Sequence, residues 1–268
     1  MLVIIIAFLA GVLIGLTGTG AGAVLTPLLL VVTPYAAATV IGTDLLSGAA
    51  AKLVGVWEHR KLGQVNWKLA AWLLGGSLPG TLAGILVLHL LEARMSPHHL
   101  DRLLRLLLGM TLFGVSLFLP FLRKRQLRIP AAEGPDPARA GRRDDAHPSG
   151  HVSLLKLGAA GAVVGFLVAM TSVGSGSLMM IALLVLVPLP LASLVGTDIL
   201  FGLVTTALAG SLHFAMGHID PKLFLLVAAG EVPGVVLGSR LTRRIPERFF
   251  TWVFSALYFS LGARLLIR

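Results

Sequence analysis

Two aspartates sit in almost the same words in otherwise apolar surroundings: VIGTDLL at residues 40–46 and LVGTDIL at residues 194–200. An ionised carboxylate is costly in hydrocarbon, so Asp44 and Asp198 are candidates for function. Three roles suit them: coupling to protons or ions, direct contact with a solute, or capping a helix that begins late, just behind Gly42. Lys52 follows Asp44 by eight residues, about two turns, and so shares its helix face. It could give an anionic solute its counter-charge, or it could neutralise an internal carboxylate or snorkel. The matching position of the second half is Thr206.

Two glycine-rich stretches, LTGTGAGAVLTP at 16–27 and MTSVGSGSLMM at 170–180, also resemble each other. Glycine permits backbone shapes that a side chain forbids. A helix starting after such a turn offers free N–H groups and the positive end of its dipole. Gly18, Gly20 and Gly22 with Thr17 and Thr19, and Gly174 and Gly176 with Thr171, Ser172, Ser175 and Ser177, therefore read as the two sides of an anion cradle. Thr43 and Thr197, beside the aspartates, join this substrate-contact set. Close helix packing uses the same small residues and is the alternative. TGTGAG is no dinucleotide fingerprint, because no strand or βαβ pattern surrounds it. His59 and His213 match each other at the expected water end of a span, while His98 and His99 lie in a loop. No metal site, cofactor or catalytic residue is expected. Glu231 interrupts an apolar run where the first half has Ser77, and the sequence offers it no partner.

The elements that must position these groups follow from composition. Of 268 residues, 56% are hydrophobic and 13% charged, and the mean hydropathy is +0.90. One soluble globule of this size cannot hide so much apolar surface, and the apolar runs suit helices, so the chain reads as an all-α integral membrane protein. Without cysteine, disulfides and thiolate chemistry are excluded. The net charge of +10 falls mostly in short loops and carries no nucleic-acid signature. MLVIIIAFLAGVLIGL has a signal-peptide flavour but no basic start, and it recurs later in the chain.

That recurrence is a repeat. Gly11 and Gly165, Asp44 and Asp198, His59 and His213, Pro79 and Pro233, and Gly84 and Gly238 all stand 154 apart, without a gap. Residues 1–122 and 152–268 form two homologous membrane repeats, joined by a polar cytoplasmic linker at 123–151. Each half parses into a glycine-broken hairpin of short helices and three spanning helices, eight to ten membrane segments in all. The runs are 2–16, 22–33, 37–57, 67–91 and 101–122, then 152–171, 175–188, 191–214, 221–240 and 247–267. Three spans per half is an odd number, which inverts one repeat relative to the other. Basic loops at 59–61, 123–125 and 240–244 place those ends in the cytoplasm; Arg94, Arg102 and Arg105 fit this less well. Trp57, Trp67, Trp72 and Trp252 lie near span ends, where indoles favour the interface.

The doubled hairpin, the GTDLL segment leading into KLVGVWEHRKLGQVNW, the GGSLPG run, and SVGSGSL, VGTDIL and PGVVLGSRL in the second half resemble the TauE/SafE family of membrane permeases. The resemblance covers nearly the whole chain apart from the linker. It implies a carrier of small sulfur-containing oxyanions such as sulfite or organosulfonates, often an exporter in the bacterial inner membrane. Glu231 departs from the serine expected there. The expected partners are then a small anionic solute and the lipid bilayer, with no nucleic acid, and a homodimer is an admissible assembly. Rival readings are a proton- or Na⁺-coupled carrier of another solute or cation through Asp44 and Asp198, a non-transporting scaffold, and an intramembrane aspartyl protease, whose GxGD signature is absent.

Overall fold

The computed structural model describes residues 1–17, 23–61, 63, 65–126, 153–189, 191–241 and 247–267. Ten helices run through them: α1 Leu2–Thr17, α2 Leu25–Val32, α3 Ala37–Lys61, α4 Trp67–Arg94, α5 Pro97–Gln126, α6 Leu154–Thr171, α7 Ser177–Leu186, α8 Leu191–Ala215, α9 Pro221–Leu241 and α10 Glu247–Ile267. Every apolar run of the sequence became one helix. α5 extends beyond its expected run at both ends. α5 begins at Pro97, a turn before the expected start, because a proline in the first turn gives up only an N–H the helix would leave unpaired. Its other end reaches Gln126.

Five helices in the described residues are long and apolar enough to cross a membrane, within α3, α4, α6, α8 and α9. α2 has 8 residues and α7 has 10. At about 1.5 Å per residue both run far short of a hydrocarbon core of roughly 30 Å. Large apolar side chains such as Leu82, Leu86 and Leu90 on α4 and Leu117 and Phe118 on α5 face outward, as lipid contact requires.

The helices pack in exchanged pairs. α1 lies along α9, and α4 lies along α6. Under the 154-residue offset these are the same pair with the halves swapped. α3 pairs with α8, its own counterpart, and α5 with α10. Glycine makes the swapped pairs close. A side chain at Gly76 or Gly80 would run into the backbone of Gly158 or Ala162 on α6, and one at Gly230 or Gly234 into that of Ile4 or Phe8 on α1. Residues spaced by four line one helix face, so GxxxG at 76–80 and at 230–234 lets backbones meet without side chains between them. This seats α3 and α8 at the centre, with α9 against α3 and α4 against α8.

Candidate functional site

Both GTD triplets lie inside helices, since α3 starts at Ala37 and α8 at Leu191. The capping role is therefore excluded for Asp44 and Asp198, whose side chains lie within the bundle, each 1% exposed. Asp44 is held from both halves. Its Oδ2 accepts hydrogen bonds from the hydroxyl of Thr26, in the first turn of α2, and from Ser172 Oγ at 2.8 Å. Ser172 has φ of 61°, left-handed backbone that costs a non-glycine residue energy. The strained turn follows the end of α6, where the Ser172 N–H donates to the Val168 carbonyl at 2.8 Å. It aims the hydroxyl at the other half. Gly174, with φ of 125°, completes the break before α7.

Lys52 reaches across in the same way. Its Nζ donates to Ser175 Oγ at 2.5 Å. The side chain lies over Gly202 of α8, where an added Cβ would stand 3.0 Å from Nζ and 2.5 Å from the Ser175 carbonyl oxygen. Asp198, Asp44 and Glu231 all lie near enough to act on its charge. Glu231, fully buried on α9, makes no hydrogen bond of ordinary geometry among the described residues. Ser47 stands beside it but donates to the Asp44 carbonyl at 3.2 Å. Three carboxyl groups thus surround one ammonium. Several buried atoms here or next to these residues also lack partners among the described residues: Thr43 Oγ1, Asp44 Oδ1, Ser177 Oγ and Asp198 Oδ1. Buried polar atoms are ordinarily paired, so such a concentration marks a polar centre rather than a packing core.

The remaining candidates divide. Thr171 Oγ1 donates to the Leu167 carbonyl at 2.7 Å and accepts from the Val173 N–H at 3.2 Å, closing the end of α6. Thr197 Oγ1 donates to the Ser193 carbonyl at 2.7 Å and accepts from the Asn66 N–H at 3.0 Å. Both hydroxyls are engaged with backbone. Gly176 precedes α7. Thr17 lies at the end of α1, but its side chain, and Gly18, Thr19, Gly20 and Gly22 entirely, fall outside the described residues. The side chain of His59 does too.

Several contributors went unnoticed in the sequence. Thr26 follows the first hairpin but matches Met180 in the second half, so the repeat hides it. Ser47 lies one turn after Asp44, a signal that was available. Ser77 pairs with Thr205 at 2.8 Å across α4 and α8. His213 is not interfacial; it is fully buried and bonded to the Ala169 carbonyl at 2.9 Å. Arg105 is tied down within the protein. It binds Asp101 at 2.6 Å and the Leu30 carbonyl at 3.1 Å. A cavity of about 410 Å³ lies apart from the charged cluster, among Ala36–Thr39, Glu92, Asp101 and His218 at the ends of α3, α4 and α5.

Comparison with known proteins places this geometry. Residues 3–265 match the family described as sulfite exporter TauE/SafE. Among curated proteins, the probable membrane transporter protein YjnA of Bacillus subtilis is 32% identical over 268 residues, covering 98% of each chain. The probable membrane transporter proteins YdhB and YunE of the same organism are 24% and 26% identical, over 92% and 99% of this chain. No solved structure matches.

Proposed function

The chain belongs to the sulfite exporter TauE/SafE family of membrane transporters, and from that premise we propose that it carries small sulfur oxyanions such as sulfite or organosulfonates outward. A transporter family makes it a multi-pass membrane carrier and not an enzyme. The reading places it in the bacterial inner membrane, working by alternating access at a midplane site between two inverted repeats. The swapped pairing of α1 with α9 and α4 with α6 supports the two-fold arrangement. Broken hairpins beside the central helices support a midplane site, since helix ends and hydroxyls can replace an anion's water there.

The observation that carries the reading is the meeting of Lys52, Ser172, Ser175 and Thr26, drawn from both repeats, around Asp44. An ammonium and three hydroxyls suit an oxyanion with several acceptor oxygens. The unpaired hydroxyls of Thr43 and Ser177 add two more donors. The three carboxyls then set a condition. An anion entering beside Asp44, Asp198 and Glu231 is repelled unless protons enter with it, so the reading requires proton coupling through Asp44 and Asp198. The carrier would work as one protomer or within a homodimer, bounded by lipid.

Purified protein in liposomes, challenged with sulfite, sulfonates, sulfate and carboxylates with and without a pH gradient, tests this. Sulfite or sulfonate flux that follows the gradient and is lost in Lys52→Ala supports it; unchanged flux in that variant removes the site. The excess of carboxyls over ammonium favours one second reading, a cation carrier through Asp44 and Asp198. It expects Na⁺-dependent currents that ignore sulfite and vanish in the Asp→Asn variants.

A further inference from the structure

A row of titratable groups lies outside the charged cluster and has no part in the reading above. His213 Nε2 faces the Ala169 carbonyl at 2.9 Å. His213 Nδ1 faces His218 Nδ1 at 3.2 Å. His218 Nε2 faces Glu92 Oε1 at 2.6 Å. The row passes from a fully buried ring to one whose side chain is 13% exposed and then to a carboxyl that is 26% exposed. Its outer members, His218 and Glu92, line the 410 Å³ cavity.

Proton accounting along this row leaves little freedom. A carbonyl only accepts, so His213 Nε2 carries a hydrogen. A neutral His213 then presents a lone pair at Nδ1, and His218 Nδ1 must donate to it. A neutral His218 in turn presents a lone pair at Nε2, where it meets Glu92. A carboxylate there would set two acceptors against each other at 2.6 Å. The row closes only with one further proton, either on Glu92 as the acid or on one ring as imidazolium beside the carboxylate.

The row also ties three separate elements together. Glu92 is near the end of α4, His218 is in the turn between α8 and α9, and Ala169 is near the end of α6, three residues before Ser172. Gly42 of the first GTD triplet lies under the same turn; an added Cβ there would be 2.9 Å from the His218 carbonyl oxygen and 3.0 Å from His213 Cβ. Two neighbouring carboxyls are already engaged. On α5, Asp101 binds Arg105 and accepts from the Ala37 N–H, each at 2.6 Å. At the start of α9, Asp220 accepts from the Leu223 N–H at 2.7 Å, with Tyr35 at 3.5 Å. α6 presents only its carbonyl to His213.

We propose that Glu92, His218 and His213 form a binding site for a single proton, which clasps α4 to the α8–α9 turn and the end of α6, and that shedding this proton opens the adjoining cavity. This rests on the carrier reading only for its purpose, a gate on one side of the protein. The site itself can be tested without any solute.

The chain has no cysteine, so a single Thr39→Cys in the cavity wall reports access through its rate of maleimide labelling. Glu92→Gln is the decisive partner, because an amide N–H can donate to His218 Nε2 and close the row with no extra proton. The ratio of rates, Thr39→Cys over Thr39→Cys with Glu92→Gln, cancels the thiol's own ionisation. It should be near one at pH 6 and rise to about tenfold at pH 9, the scale of one lost charged hydrogen bond. A ratio that does not change with pH, or a cysteine that reacts at neither pH, overturns the proposal. His218→Phe decides independently should Glu92→Gln not fold. It breaks the row outright, so Thr39→Cys with His218→Phe should react about tenfold faster than Thr39→Cys alone at pH 6 and equally fast at pH 9. Equal rates at pH 6 would likewise refute it. Because labelling needs no flux, a failure here leaves the anion reading standing, and the reverse also holds.

Discussion

Asp44 and Asp198 hold equivalent places in the two repeats, yet their surroundings differ. Asp44 is held by Thr26 and Ser172, one hydroxyl from each half. Asp198 keeps Oδ1 unpaired among the described residues and has Lys52 as its charge partner. The lysine has no twin. Thr206, its counterpart, turns its hydroxyl back to the Gly202 carbonyl at 2.7 Å. Ser77 makes a hydroxyl pair with Thr205, whereas its counterpart Glu231 is a buried carboxyl beside Ser47 and Asp44. The duplication therefore governs the scaffold, and the chemistry departs from it. Matching glycine faces pack both swapped helix pairs, while one lysine and one extra carboxyl make the centre asymmetric.

The largest effects should come from the symmetric part. Gly80→Val and Gly234→Val each force a side chain into a neighbouring helix backbone. Both variants should fail to give monodisperse protein by size exclusion, and to equal degrees; tolerance of only one would break the equivalence of the two helix pairs. Next comes Lys52→Ala. Removing the ammonium takes the neighbouring positive charge from three buried carboxyls and the donor from Ser175. Thermal unfolding should fall markedly and sulfite flux should vanish, whereas Thr206→Ala should change flux little.

Asp44→Asn sharpens the comparison at smaller cost. An amide keeps the hydrogen bonds of Thr26 and Ser172 but cannot exchange a proton. Flux should lose its pH dependence while anion affinity changes by less than about threefold; the opposite pattern would make Asp44 a substrate contact. Asp198→Asn leaves the hydroxyls untouched and removes one of the carboxyls that repel the anion, so it too should reduce the pH dependence of flux without weakening anion binding. The smallest effects belong to the Ser77 and Glu231 pair. Ser77→Ala should cost about 1 kcal/mol by leaving Thr205 unpaired. Glu231→Gln removes a buried ionisable group that makes no hydrogen bond of ordinary geometry among the described residues, so stability should rise slightly.

Much of this organisation was legible before any coordinates. The offset of 154 residues, held from Gly11 to Gly84, gave the repeat, and apolar run lengths gave ten helices. The hairpins were readable as short because α2 and α7 could not reach across hydrocarbon. The site was legible only as residue types. Nothing local tells that Lys52 bonds to Ser175, 123 positions away, or that Thr26 joins Ser172 on one oxygen. Those contacts exist because backbones meet across glycine, a tertiary event. His213 misled for a related reason: its place near the end of an apolar run implies water, but the turn carrying His218 folds back over it. The GTD triplets misled too, since Gly–Thr–Asp reads as a helix start and here lies two turns inside one.

One small feature has a large reach. Gly202 leaves a gap where a methyl group would stand, and the tip of Lys52 lies over it, bonded to the Ser175 hydroxyl. The counter-charge is thus parked in a notch belonging to the opposite half. If the halves shift past each other, the notch travels away from the amine. Such a shift would re-aim the positive charge as part of the same motion.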